Sequence, residues 1–257
     1  MIQREGTLTS RRAWLGAAAA LLVWPVARPV RAEQVLLPRM DRVIAPQRLA
    51  SEFLQVRDLP QTRRIDPVFT GRRGQRQGQR IARRPMRQPP TAYVLTGQRL
   101  GVPAWVLFGV ALQESQLLFG GEALPYPWTL DVAGRAERHG SYARVRDALS
   151  GYLDQGVTNV DCGPMQVNWR AHRDLLGTPG RALDPYLNLA AGALILQQGY
   201  ADTGSWPRAV GLYHTGSFGS GERRERAVRY VAGVSRRLWR HGLTLAQAAS
   251  LPPGALL

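Results

Sequence analysis

The chain contains no lysine and a single cysteine, Cys162, in 257 residues. One cysteine excludes an intramolecular disulfide and any cysteine-clustered metal site. The thiol, beside a glycine, reads as a buried inert group rather than as half of a Cys–His nucleophile. The four histidines, His139, His172, His214 and His241, show no metal-ligand spacing, so neither a metal nor another cofactor is expected. Alternating runs of β-branched residues are nearly missing, which leaves little room for an extended sheet. No internal repeat is present. All 34 basic residues are arginine, against 18 acidic ones, for a formal net charge of +16. Exclusive use of arginine is what a GC-rich coding bias produces, so single arginines are not read as designed contacts. The excess still favours anionic partners: nucleic acid, a membrane surface or an anionic wall polymer.

The N-terminus has the order of an export signal. Ser10-Arg11-Arg12-Ala13-Trp14-Leu15 precedes the apolar run LGAAAALLVW, and Val30-Arg31-Ala32 offers a small-residue cleavage site. The paired arginines, with Arg28 and Arg31 beyond the apolar core, suit the twin-arginine route. The apolar run is broken by Pro25 and is short for a membrane span. Residues 1–32 are therefore expected to be removed on export to the periplasm, leaving a mature chain of net charge +12 with no transmembrane span. Residues 33–89 lack sustained periodicity. Their segment GRRGQRQGQRIARRPMRQ carries seven arginines in eighteen positions and reads as a basic linker, or as a tether to an anionic partner.

Beyond Pro90 helical patterns dominate, so the fold class expected is mostly α over residues 90–245, with a tail at 246–257. TAYVLTGQRLG ends on glycine, and Pro103 opens the next helix. A turn-rich segment, FGGEALPYPWTLDVAG, precedes the polar helix of SYARVRDALSGYLDQG. DCGPMQVNW reads as a turn into a short helix. LNLAAGALILQQGYADTG, WPRAVGLYHTG and ERRERAVRYVAGVSRRLW complete the helical set.

One residue stands out chemically. From Leu100 to Gly121 the only charged side chain is Glu114. Its helical neighbours Val110, Ala111, Leu117 and Leu118 are all apolar, and Gly120-Gly121 marks a helix end nearby. Desolvation and the negative helix end both raise a carboxyl pKa, and an acid held protonated near neutrality can donate to a leaving oxygen. The plainer alternative is a glutamate turned to solvent or paired with an arginine.

Further along come Gly163-Pro164-Met165-Gln166, Leu212-Tyr213-His214-Thr215-Gly216 and Tyr230-Val231. With Glu114-Ser115 this ordered series resembles the SLT-type lytic transglycosylases, relatives of goose-type lysozyme, whose motifs read E-S, G-L-M-Q, A-Y-N-A-G and a late Y-V. The resemblance spans about residues 90–240 and implies a lysozyme-like domain. It makes Glu114 the catalytic acid and Ser115, Met165, Gln166, Tyr213, His214 and Tyr230 substrate-binding residues. Ser115 would face the cleft mouth and Met165 the cleft wall. Five of them have an ordinary structural alternative: a cap or a solvent-facing position for Ser115, a surface cap for Gln166, and core for Met165, Tyr213 and Tyr230.

Pro164 replaces the family leucine, His214 replaces the family asparagine, and Glu114 and Gly163 are unusually far apart. The intervening Pro125-Tyr126-Pro127-Trp128 segment looks like the form found in transglycosylases of conjugative transfer and type IV secretion. The implied reaction cleaves the MurNAc–GlcNAc bond of peptidoglycan without water, giving a 1,6-anhydromuramoyl end. Glycan strands and components of a secretion or conjugation complex are the implied partners. Two alternatives are hydrolysis on the same fold, with Asp161 or Asp131 holding a water, and a basic non-catalytic scaffold or DNA-binding protein. Intact Glu114 and Gln166 speak against the scaffold.

Overall fold

The computed structural model describes residues 88–119, 122–217 and 219–253. The export signal expected over residues 1–32 and nearly all of the linker expected over 33–89 lie outside the described residues. The described part is mostly α. None of its helices is long and apolar enough to cross a membrane.

The centre of the molecule is the helix with the single charge. Helix α1 (Thr91–Leu100) ends at Gly101, and Pro103 opens α2 (Ala104–Ser115). Every residue of α2 from Ala104 to Leu112 is buried. A helix apolar on all sides has to be enclosed by other elements, and this one is. It packs against α1, against α6 (Pro185–Thr203), α7 (Trp206–Thr215) and α8 (Glu222–Trp239), and against the C-terminal α9 (Leu245–Ser250). The α2–α8 approach is close at Gly109, where a Cβ would lie 2.9 Å from Leu238 Cγ. A larger residue there would push the helices apart.

Local signals account for the helix ends. Asp184 caps α6 by accepting from the backbone N–H of Tyr186 and Leu187. Thr244 and Gln247 form a reciprocal capping box on α9. Ser141 caps α3 (Tyr142–Asp154), and two single-turn helices, α4 (Arg173–Leu176) and α5 (Pro179–Ala182), lead into α6.

The segment expected to be turn-rich contains strands. β1 (Gln116–Phe119) and β2 (Glu122–Pro125) form a hairpin directly after α2. β3 (Thr129–Val132) and β4 (Arg135–Arg138) form another. β5 (Val160–Cys162) and β6 (Val167–Asn168) complete an antiparallel sheet of order β4-β3-β5-β6. The sequence GPMQ thus joins two short strands rather than leading into a helix, and α2 stops at Ser115, ahead of the glycines at 120 and 121. Strands of two to four residues are too short for alternation to register. Buried Glu137 ties β4 to α3 by accepting from the Tyr152 hydroxyl at 2.7 Å and from Arg135 at 2.9 Å.

A polar residue is also buried at the C-terminal edge of the core. The His241 ring lies against Trp105 and Phe108, at centroid distances of 5.6 and 5.7 Å, and among the described residues its Nδ1 has no hydrogen-bond partner. Burial, with Arg240 nearby, lowers its pKa from 6.5 to about 4. The native state therefore resists a proton that the unfolded chain accepts, so this contribution is fully present above pH 6.5 and is lost as pH falls toward 4. His241→Phe is expected to be more stable than the parent by about 2 kcal/mol at pH 4, with a smaller difference at pH 7.5. Urea denaturation at the two pH values checks this, and a difference independent of pH would refute it.

Candidate active site

Glu114 sits in the last turn of α2, as expected, at the point where the helix leaves the core. Its side chain is partly buried, and the Tyr230 hydroxyl on α8 donates to its Oε1. Burial raises its pKa from 4.5 to about 7. The Tyr230 hydrogen bond and the Arg237 charge act in the opposite direction, while Asp161 and Asp131 add to the rise. Near neutrality the group is thus divided between acid and carboxylate, the state a proton donor and acceptor needs.

Arg237 was not singled out in the sequence. Its Nε donates to Leu112 O at 2.9 Å, so the guanidinium is fixed to a free carbonyl of the last turn of α2. It supplies the positive charge facing Glu114.

The four residues Gly163 to Gln166 form a turn whose backbone groups bond to one another and to four surrounding elements. The Gly163 N–H donates to Thr129 O on β3 at 2.9 Å. Gly163 O accepts from the Gln166 backbone N–H at 3.1 Å and from its Nε2 at 2.8 Å. Pro164 O accepts from Ser115 Oγ at 2.7 Å, and Met165 O accepts from the Tyr213 hydroxyl on α7 at 2.7 Å. The Met165 N–H donates to Asn188 Oδ1 at 2.9 Å. Proline at 164 has no N–H to satisfy, which suits a buried position in a turn with no acceptor to spare.

Asn188 completes the arrangement. Fully buried in α6, it also donates through Nδ2 to Cys162 O at 2.8 Å and to Ala182 O at 2.9 Å. A Cβ at Gly163 would stand 2.6 Å from the Asn188 side chain, and Gly163 has φ of +70°. Only glycine meets both conditions.

These contacts revise two expectations. Ser115 is 1% exposed and points inward to the turn, not to the cleft mouth. Met165 is fully buried, packed onto Gly192 of α6, and does not line a cleft wall with its side chain. Both hold the turn against its neighbours. Gln166 is partly exposed with φ of +48°, and anchoring of its amide nitrogen leaves the carbonyl oxygen as an acceptor. Tyr213 is half-buried and braces the turn. His214 is exposed, and its ring stacks on Tyr230 at a centroid distance of 4.6 Å with an interplanar angle of 3°. Glu114, Tyr230 and His214 are thus brought together, with Tyr213 and Gln166 reaching the same turn.

Two more carboxylates belong to this region. Asp131 on β3 and Asp161 on β5 are directly opposite one another across the strands. Like charges in such positions repel. Asn168 Nδ2 donates to Asp161 at 2.7 Å, and the Gly134 N–H donates to Asp131 at 2.6 Å. Burial and the Asp131 charge raise the Asp161 pKa. Cys162, next to Asp161 on β5 and opposite Leu130, is buried, and burial pushes its thiol pKa up, away from the reactive thiolate. Among the described residues no group of three or more His, Cys, Asp or Glu side chains is placed to hold a metal ion.

Comparison of the chain with protein-family models, curated proteins and solved structures gives no match.

Replacing Asn188 with alanine leaves the buried Met165 N–H without its acceptor and takes a donor from two carbonyls. A loss of about 3 kcal/mol of stability is expected for Asn188→Ala. Denaturant unfolding measures it. A loss below about 1 kcal/mol would show that the turn does not depend on this side chain.

Proposed function

We propose that the chain is a peptidoglycan lytic transglycosylase with a lysozyme-like domain and Glu114 as its acid and base. The observation that carries this reading is the environment of Glu114. One carboxyl at the end of an apolar helix has a pKa near 7 and is held by a tyrosine hydroxyl. A glycan enters beside the exposed His214, with its ring faces against the Tyr230–His214 stack and its hydroxyl or acetamido groups at Gln166.

Tyr230 occupies Oε1, so the transferable proton resides on Oε2. Glu114 gives this proton to the glycosidic oxygen, and the C1–O bond breaks. The substrate's own 2-acetamido oxygen closes on C1 and carries the positive charge. Glu114, now a carboxylate, removes the proton of the muramoyl 6-hydroxyl. That oxygen attacks C1, the acetamido group is released and a 1,6-anhydro end forms. Arg237 and the Tyr230 hydroxyl stabilise Glu114 while it is ionised. The export signal is consistent with action on the wall outside the cytoplasm, where local opening would serve a conjugation or secretion apparatus.

Glu114→Gln keeps the shape of the side chain and removes the proton relay. Clearing of purified peptidoglycan should fall at least about a thousandfold with a melting temperature no lower than the parent's. In the parent, kcat/KM should decline above about pH 7 as the acid ionises. Tyr230→Phe removes a hydrogen bond that favours the carboxylate, so the decline should move to higher pH while the rate drops about tenfold. Undiminished clearing by Glu114→Gln would refute the assignment.

A second reading, hydrolysis, is favoured by the facing pair Asp131 and Asp161, which a water could bridge opposite Glu114. The two readings differ in product mass. Lytic products are lighter by one water and do not need the aspartates, so Asp161→Asn should keep activity within about fivefold. Products with reducing ends only, and a loss of about a hundredfold or more in Asp161→Asn, would establish hydrolysis instead.

A further inference from the structure

One cation at the mouth of this site forms no ion pair among the described residues. Arg226 precedes Tyr230 by four residues on α8, so it lies one turn away on the same side of the helix. It is exposed, and among the described residues it forms no ion pair, its neighbour Glu225 being taken by Arg229 at 3.2 Å. The adjacent Arg223 is engaged by the Ser217 hydroxyl at 2.8 Å. Arg226 lies close enough to His214 for its charge to disfavour the imidazolium form. An unpaired guanidinium therefore stands next to the His214–Tyr230 stack, while the interior of the site carries Glu114, Asp131 and Asp161.

This polarity has a consequence for selection. A polyanion such as nucleic acid would have to run past three carboxyl groups to follow the site. A ligand with a single carboxylate beside an otherwise neutral sugar ring would place that charge at the lip and its ring on the stack. We propose that Arg226 is a specificity residue that binds a carboxylate of the glycan substrate next to the ring stacked on His214. The proposal rests on the reading of the site as a glycan cleft. The carboxylate has two sources in peptidoglycan: the lactyl group of a muramoyl residue without peptide, and the stem peptide. Guanidinium–carboxylate pairing suits either.

The test uses the full-length chain carrying Glu114→Gln, so that binding is measured without turnover. Calorimetric titration would compare three probes: chitotetraose, which is neutral; glycan fragments stripped of peptide; and the same fragments with stem peptides. At least one acidic probe should bind about tenfold more tightly than chitotetraose. Adding Arg226→Gln should remove most of that advantage and change chitotetraose binding less than twofold, while Arg226→Lys retains part of it. Loss confined to peptide-bearing fragments identifies the stem peptide, loss confined to peptide-free fragments identifies the lactyl carboxylate, and loss shared by both shows that Arg226 accepts either carboxylate. The position is exposed, and a melting temperature equal to the parent's verifies that the variants fold. Equal weakening of all three probes by Arg226→Gln, or no weakening of any, would overturn the proposal while leaving the glycan cleft standing. Absence of binding by all three would overturn the cleft reading and this inference together.

Discussion

The turn Gly163–Gln166 is the constraint on which the site depends. Its carbonyls receive Ser115 from the end of α2 and Tyr213 from α7, its first N–H is joined to β3, and Asn188 of α6 holds it from below. Four separate elements are thereby fixed relative to one another by hydrogen bonds about 3 Å long. Buried polar groups of this kind are costly when any member is missing and directional when all are present. Ser115 matters through this link. It is the residue after Glu114, so its bond to Pro164 O sets where α2 ends and where the carboxyl emerges.

The helices were legible because glycine, proline and capping residues mark their ends: Pro103 before α2, Asp184 before α6, Gly204 and Gly216 after α6 and α7. Glu114 was legible for a related reason, being the only charge in an apolar run. The same logic points to Asn188, the lone amide in PYLNLAAGALIL. Other parts had no such signal. The strands are too short to show a period, and the facing of Asp131 and Asp161 depends on a register that only the folded sheet defines. Arg237 was one arginine among many on α8, distinguished only by the carbonyl it reaches. Ser115 and Met165 could be assigned to a motif, but their direction could not be read. An apolar or small side chain beside a site looks the same whether it lines the cleft or holds the wall from behind.

The geometry also explains why Glu114 tolerates burial. Tyr230 and Arg237 each favour the carboxylate, yet burial outweighs both and the pKa stays near 7. A folded-state value above the unfolded one means that Glu114 adds stability below pH 4.5 and that this is lost as pH rises through 7. The shift corresponds to about 3 kcal/mol before solvent screening, and about 2 kcal/mol is a fairer figure for a partly exposed group. The strain of the site is therefore largest at and above neutral pH, where the carboxylate is present without a substrate proton to collect.

His241 acts with the opposite sign. Its contribution is present above pH 6.5 and is lost as pH falls toward 4. Between about pH 4.5 and 6.5 the two groups pull stability in opposite directions, and His139, His172 and His214, which burial also shifts down from 6.5, act with the sign of His241. A flat stability profile across that window would then record cancellation, not the absence of titrating groups. Removing Glu114 leaves the histidine slope exposed, so stability rises with pH; removing His241 leaves more of the carboxyl slope, so stability rises as pH falls. Glu114 and a histidine at the opposite end of α2, against Trp105, thus offset one another through the stability of the fold rather than through any contact between them.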